Sequence, residues 1–170
     1  ELQLAAQGRL TKKGSDMGLG APDCPVFSDM YQYASLACGA TLTATELILS
    51  DEADIAFNPS GGFHHAKAEF ASGFCYLNDV VLGSLRLTEK GKRVLFFDVD
   101  AHHCDGVQDA FYSSSDVMVI SLHESGKTLF PWTGFENEIG EGAGRGFNVN
   151  VPLPVGIFDD NKYVSREINV

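Results

Sequence analysis

The sequence predicts an α/β protein whose core is a parallel β-sheet flanked by helices. Three observations carry this. The runs "VLFF" at 94–97 and "VMVIS" at 117–121 are near-continuously apolar, as in parallel strands buried on both faces. Segments with apolar residues at helical spacing separate them. Polar, chemistry-bearing clusters follow the strands directly, where ligands bind in open parallel sheets.

The elements follow in order. Residues 1–29 read as a short helix and then a loop. There "GSDMGLGAPDCP" is rich in turn formers, and Pro22 and Pro25 bracket Asp23 and Cys24. Residues 30–50 carry small and apolar residues at helical spacing. They predict a helix buried over much of its surface, with Gly39 allowing close approach. "ADIAFNPSGG" at 53–62 reads as a short strand running into a glycine turn. Asn78–Lys90 reads as an amphipathic helix with Asn78 as its N-cap. "KRVLFFDVD" at 92–100 is the clearest buried strand, "DGVQDAFYSS" a short helix, and "DVMVISLH" a further strand. "GEGAGRG" is a flexible loop, and "FNVNVPLP" at 147–154 a strand ended by prolines. No internal repeat or low-complexity tract interrupts the pattern.

Composition narrows the function. With 170 residues, 44% of them hydrophobic, the chain has enough apolar material for one packed core. Its net charge of -11 leaves no basic excess to neutralise nucleic-acid phosphates or to bind an anionic membrane. That acidity fits a soluble cytoplasmic protein, and it also favours cationic substrates. The cysteines, Cys24, Cys38, Cys75 and Cys104, form no C-x-x-C pair and suggest no disulfide framework, so reduced thiols are expected. No apolar run is long enough to span a bilayer.

The chemistry concentrates in "DVDAHHCDG", 98–106, and "GGFHHAKAEF", 61–70. Alternation along a strand lets Asp98, Asp100 and His102 face one side. A carboxylate and an imidazole two residues apart can chelate one cation, and zinc accepts both ligand types. Asp98 and Asp105 can orient histidines by hydrogen bonding. An oxygen-rich site would suit manganese instead; one imidazole with few carboxylates suits zinc. His64 and His65 follow a glycine turn, Gly61–Gly62, that lets backbone approach a ligand. Next to a Lewis acid they make a general base and its electrophilic partner; on a plain surface loop they would be accidental. Phe74 and Phe130 either wall a narrow apolar tunnel or belong to the core. Cys75 and Cys104 read as small buried fillers before nucleophiles.

Taken together, "PSGGFHHAKAEFASGFCYLNDVVLGSLRL", "RVLFFDVDAHHCDGVQDAFY", "VMVISLH" and "LFPWTG…EIGEGAGRGFNVNVPLP" resemble the zinc-dependent histone deacetylase superfamily. The variant "DAHHCDGVQ" is similar to its bacterial acetoin-utilisation and deacetylase-like branch. The resemblance runs from about Lys13 to Tyr163. It implies an arginase/deacetylase-like fold and zinc-dependent hydrolysis of an N-acetyl amide, commonly acetyl-lysine in proteins. It implies zinc ligation by Asp100 and His102, a general base at His65, and at His64 a neighbour that supports the transition state or the leaving amine. Asp98 and Asp105 would hydrogen-bond the two histidines. Phe74, Phe130 and Gly73 would line an acyl-lysine channel, and Asp23 would be a rim acid that binds substrate backbone. The family also binds potassium (K+). Backbone oxygens of Asp98, Asp100 and His102, with Ser121 and Leu122, match an inner site; Phe111, Ser114 and Val117 match part of an outer one.

Two family motifs have no counterpart here: a third zinc ligand, an aspartate from a later strand, and a transition-state tyrosine in a later glycine-rich loop. "DDNKYVSREINV" stands where another helix would begin. Residues 1–170 therefore read as the central part of a single deacetylase catalytic domain, incomplete at both ends. The short chain alone is expected to be inactive and its parent active. Other readings are an acetylpolyamine or small-amide deacetylase, an arginase-type dimanganese hydrolase, which would need more carboxylates, and a truncated, non-catalytic binding remnant.

Overall fold

A computed structural model describes residues 1–156 of the chain. The helix expected near 159–170 lies outside the described residues. Two short helices open the chain, α1 (Leu2–Ala6) and α2 (Lys12–Asp16), the second capped by Thr11, whose side chain accepts the Gly14 N–H. After a loop come α3 (Met30–Leu49) and α4 (Asp79–Glu89), then β1 (Val94–Asp98), α5 (Asp105–Phe111), β2 (Val117–Glu124) and β3 (Asn148–Leu153). A single 3-10 turn, Gly142–Gly144, interrupts the loop before β3.

The three strands form one parallel sheet in the order β1-β2-β3. Register sets Asp98 beside Ser121 and Glu124 beside Leu153, so the carboxyl ends share one edge. The core lies where α4 and α5 pack on one sheet face. Cys104, Val107, Phe111, Val117 and Val119 are buried there, with Val80, Val81, Val94 and Phe96 packed around them. Each such apolar side chain contributes roughly 1.5–3 kcal/mol when fully buried. A second cluster, Ala5, Leu19, Cys24, Met30 and Ala71, ties α1 and the loop after α2 to α3. Asn78 caps α4, its side chain accepting the Val81 N–H at 3.0 Å, a bond of about 1 kcal/mol.

The sheet is parallel and flanked by helices as expected; among the described residues α4 and α5 lie on one face, and Leu95 and Phe97 are 61% and 56% exposed on the other. Three expectations need correction. Residues 53–62 form no strand, and Ile55 and Phe57 stand 88% and 86% exposed. A strand needs a neighbour to satisfy its backbone, and no described strand pairs with this segment. Helix α3 buries a stripe, Met30, Ala34, Ala37, Cys38 and Thr45, rather than most of its surface. Small side chains along it permit burial but do not supply a packing partner. A Cβ at Gly39 would meet nothing within 4 Å; the close approach is instead at Gly83 of α4, where an added Cβ would lie 3.0 Å from the Thr41 methyl.

Candidate active site

The turn before the paired histidines is built by Asp79, at the start of α4. Its buried carboxylate accepts the Gly62 and Phe63 N–H groups at 3.0 and 2.8 Å and the Thr41 hydroxyl at 2.6 Å. A Cβ at Gly61 would lie 2.4 Å from that carboxylate, so only glycine lets the backbone come this close. The turn delivers His64 and His65 into the interior, 7% and 5% exposed.

Each imidazole meets its own carboxylate. His64 Nδ1 lies 2.6 Å from Asp98 Oδ2, and His65 Nδ1 lies 2.7 Å from Asp105 Oδ1. Both Nδ1 atoms therefore donate, which turns both Nε2 atoms toward each other, 3.1 Å apart. At that distance the two ring nitrogens are within hydrogen-bond reach of one another. Burial disfavours charge on His64, yet the hydrogen bond and charge of Asp98, with Asp100 and Asp105 behind it, raise its pKa. Burial likewise pushes Asp105 upward, and the His65 bond with the nearby Lys67 ammonium reverses this and holds it below the usual carboxylate range.

Strand β1 stops at Asp98, so simple alternation does not align Asp98, Asp100 and His102. A turn does. Asp98 Oδ1 accepts the Asp100 N–H at 2.8 Å, and Asp100 Oδ1 accepts the His102 N–H at 2.7 Å. This brings Asp100 Oδ1 to 3.0 Å from His102 Nδ1, with both side chains about half exposed. An oxygen and a nitrogen converging in this way suit zinc, which commonly takes three protein ligands at a catalytic site. Among the described residues no cluster of three or more His, Cys, Asp or Glu converges on a metal position. The described chain thus offers two donors. Burial works against the Asp100 carboxylate, but bonds from His102 and the charges of His64 and His102 lower its pKa and keep it an anionic donor.

These groups border a cavity of about 320 Å³ lined by His64, His65, Gly73, Phe74, Asp100, His102 and Phe130. Phe130 stands edge-on to His65, ring centroids 5.0 Å apart, and 6.3 Å from His102. Phe74 faces it from a left-handed backbone, φ 66°, and is 72% exposed. Asp23 secures this wall: its Oδ2 accepts the Gly73 N–H at 2.8 Å, and its carbonyl accepts the Phe74 N–H at 3.1 Å.

The residues matched to potassium fall in two places. Ser121 is fully buried beside Asp98, its hydroxyl 2.8 Å from His123 Nδ1, while the side chain of Leu122 lies on the opposite sheet face. Phe111, Ser114 and Val117 lie toward the other end of β2, with the Phe111 carbonyl accepting the Ser114 N–H. All four thiols are free and buried, and burial pushes Cys75 up to about 11 and Cys104 higher still, so neither supplies a thiolate.

Sequence reasoning missed three contributors. Asp79 had no signal beyond its place after an N-cap. Lys67, in "HHAK", bonds Asp105 and Asp109. The third is a buried polar network under the loop that carries Phe130. His103 joins Thr133 at 2.8 Å and Gln108 at 3.1 Å; Gln108 donates to Glu138 at 2.6 Å; His123 Nε2 donates to the Gly134 carbonyl at 2.9 Å. A larger hollow of about 760 Å³ between α4, α5 and residues 66–70 contains neither catalytic-type histidine.

The buried His–Asp pairs lie at the carboxyl edge of a parallel sheet, and solved structures place the chain in the arginase/deacetylase fold class. The crystal structure of an HDAC homolog from Aquifex aeolicus superposes with a TM-score of 0.87 at 45% identity, covering 95% of this chain and 44% of that one. Another, of an HDAC homolog complexed with SAHA, gives a TM-score of 0.84 at 46% identity, covering 90% and 42%. Residues 2–167 match the histone deacetylase domain, and the chain belongs to the histone deacetylase family. Histone deacetylase 8 of Xenopus laevis is 53% identical over 148 residues, 87% of this chain and 45% of that protein. Histone deacetylase RPD3 of Saccharomyces cerevisiae is 48% identical over 143 residues, 84% and 33% of the respective chains. The chain spans less than half the length of these relatives.

Proposed function

We propose that the full-length protein hydrolyses N-acetyl amides, acetyl-lysine in proteins before small acetylated amines, with a zinc ion held in part by Asp100 and His102. The observation that carries this is the 3.1 Å contact between the Nε2 atoms of His64 and His65, each ring backed by its own buried carboxylate, beside the Asp100–His102 donor pair. When bound, zinc polarises the acetyl carbonyl and makes water a stronger acid. His65 Nε2 takes the proton of the attacking water, with Asp105 holding the ring by its Nδ1–H. His64, charged beside Asp98, supports developing negative charge and hands a proton to the leaving amine. Phe74 and Phe130 take the aliphatic stem of the substrate between their faces, and Asp23 receives its backbone amide at the rim. A third zinc ligand and a transition-state hydroxyl belong to a part of the parent outside the described residues.

Potassium fits this reading at backbone oxygens of Asp98, Asp100 and His102 with Ser121 and Leu122, and near Phe111, Ser114 and Val117. Placement in the bacterial acetoin-utilisation branch rests on "DAHHCDGVQ" alone; the relatives above are named histone deacetylases. Four buried free thiols favour a cytoplasmic setting, and no helix among the described residues is long and apolar enough to cross a membrane. The test is turnover by the zinc-loaded full-length protein of an acetyl-lysine peptide beside an acetylated polyamine. Faster turnover of the peptide supports the reading, and no amide hydrolysis of either substrate overturns it.

A further inference from the structure

We infer that Lys67 is a positioning residue for the His65–Asp105 pair. The inference rests on the role proposed for His65 above. Asp105 is 4% exposed, and both of its oxygens are occupied. Oδ1 accepts from His65 Nδ1 at 2.7 Å, and Oδ2 lies 3.2 Å from the Lys67 ammonium. Lys67 is in turn held by Asp109 Oδ2 at 2.6 Å, one turn further along α5. The His64 pair differs in one respect. There the second oxygen of Asp98 accepts a neutral backbone N–H, from Asp100, at 2.8 Å.

The difference has two consequences. A carboxylate tethered at both oxygens cannot rotate about its Cβ–Cγ bond, so the plane of the His65 ring is fixed through Asp105. A full positive charge on Oδ2 also draws electron density away from Oδ1, so Asp105 pulls less strongly on the His65 proton than Asp98 does on that of His64. Two chemically similar His–Asp pairs thereby become unequal. The His65 ring is held by a carboxylate fixed at its second oxygen by an ammonium, the His64 ring by one whose second oxygen meets only a backbone N–H. Lys67 touches neither the cavity wall nor the Asp100–His102 donors and acts only through Asp105. Its side chain is 37% exposed and Asp109 is 51% exposed, so the outer link alone would be a weak surface ion pair. The buried link to Asp105 is the consequential one.

The test compares Lys67→Met, Lys67→Gln and Lys67→Arg in the full-length protein, with two readouts. In the zinc-loaded enzyme, Met and Gln are expected to lower kcat roughly tenfold with KM for an acetyl-lysine peptide unchanged, and Arg to restore most of it. In the metal-free protein, nitrogen NMR of the histidine rings is expected to show His65 as a single Nδ1–H tautomer in the wild type. In the Met and Gln variants its ring proton should exchange faster and the tautomers mix. If Met does not fold, Gln, one atom shorter than Lys and uncharged but polar, carries the comparison. Unchanged His65 ring signals in the metal-free Gln variant together with kcat within twofold of wild type overturn the inference. Inactivity of the wild type with a perturbed ring in the variants would instead fault the proposed activity and leave the positioning intact.

Discussion

Gly73 and His65 touch so closely that no side chain fits between them. A Cβ at Gly73 would lie 2.4 Å from His65 Cδ2, and its backbone is left-handed, φ 55°. The cavity wall and the His65 ring are thus one packing unit. Gly73→Ala is expected to cost about 1–3 kcal/mol from backbone conformation and to tilt the His65 ring. A displacement near 1 Å costs on the order of 10² in rate. Thermal melts beside kcat of the full-length protein check this; a variant of normal kcat would show that the ring does not depend on Gly73.

His65→Ala should lower deacetylation by ~10²–10⁴-fold, the usual contribution of a positioned base, while zinc content stays unchanged. His65 is not one of the Asp100–His102 donors, so metal analysis of the purified variant separates loss of base from loss of metal. Near-normal turnover with zinc bound would remove His65 from the role.

Phe130→Ala should raise KM for acetyl-lysine peptides with a modest loss of stability. A fully buried Phe costs ~3–5 kcal/mol on truncation, but Phe130 is only half-buried and packs its ring against His65 and Trp132. A large drop in melting temperature with unchanged KM would return Phe130 to the core.

Acid should destabilise the fold through His103. Burial, reinforced by the His123 charge, lowers its pKa from the ordinary 6.5 to about 4. The unfolded chain therefore binds more protons between those values, and stability rises with pH there. The contribution is fully present above 6.5 and is lost as pH falls toward 4, about 3 kcal/mol in total. His64 has a raised pKa and works oppositely: its contribution is present below 6.5 and fades as pH rises through the folded value. Urea melts of wild type and His103→Gln in the metal-free protein, from pH 7.5 to 4.5, isolate the His103 share. Equal slopes for the two would refute it.

The 170-residue chain alone is expected to bind zinc weakly and to hydrolyse no acetyl-lysine, because the described residues bring only Asp100 and His102 together as donors. Calorimetric zinc titration and a fluorogenic acetyl-lysine assay on the short and full-length proteins test this. Full activity from the short chain would show that further ligands are dispensable.

Local pattern made much of the chain legible by itself. Apolar runs at 94–97 and 117–121 marked strands, Asn78 marked the start of a helix, and the tandem imidazoles and D-x-D-x-H marked where chemistry-bearing side chains concentrate. These signals are short-range, because strand and helix periods and cap chemistry are written within a few residues. Other features depend on partners distant in sequence. Among the described residues, 53–62 carry a strand-like sequence yet pair with no strand, and Leu95 and Phe97 of β1 stay exposed, because backbone and apolar surfaces need neighbours that local sequence does not supply. Tertiary packing alone decided which carboxylate serves which imidazole, Asp98 with His64 and Asp105 with His65, across 34 and 40 residues. It also decided that Lys67 reaches Asp105 and that Gly73 abuts His65. Contacts of this kind follow from how α4, α5 and the sheet close on one core, which no local spacing encodes.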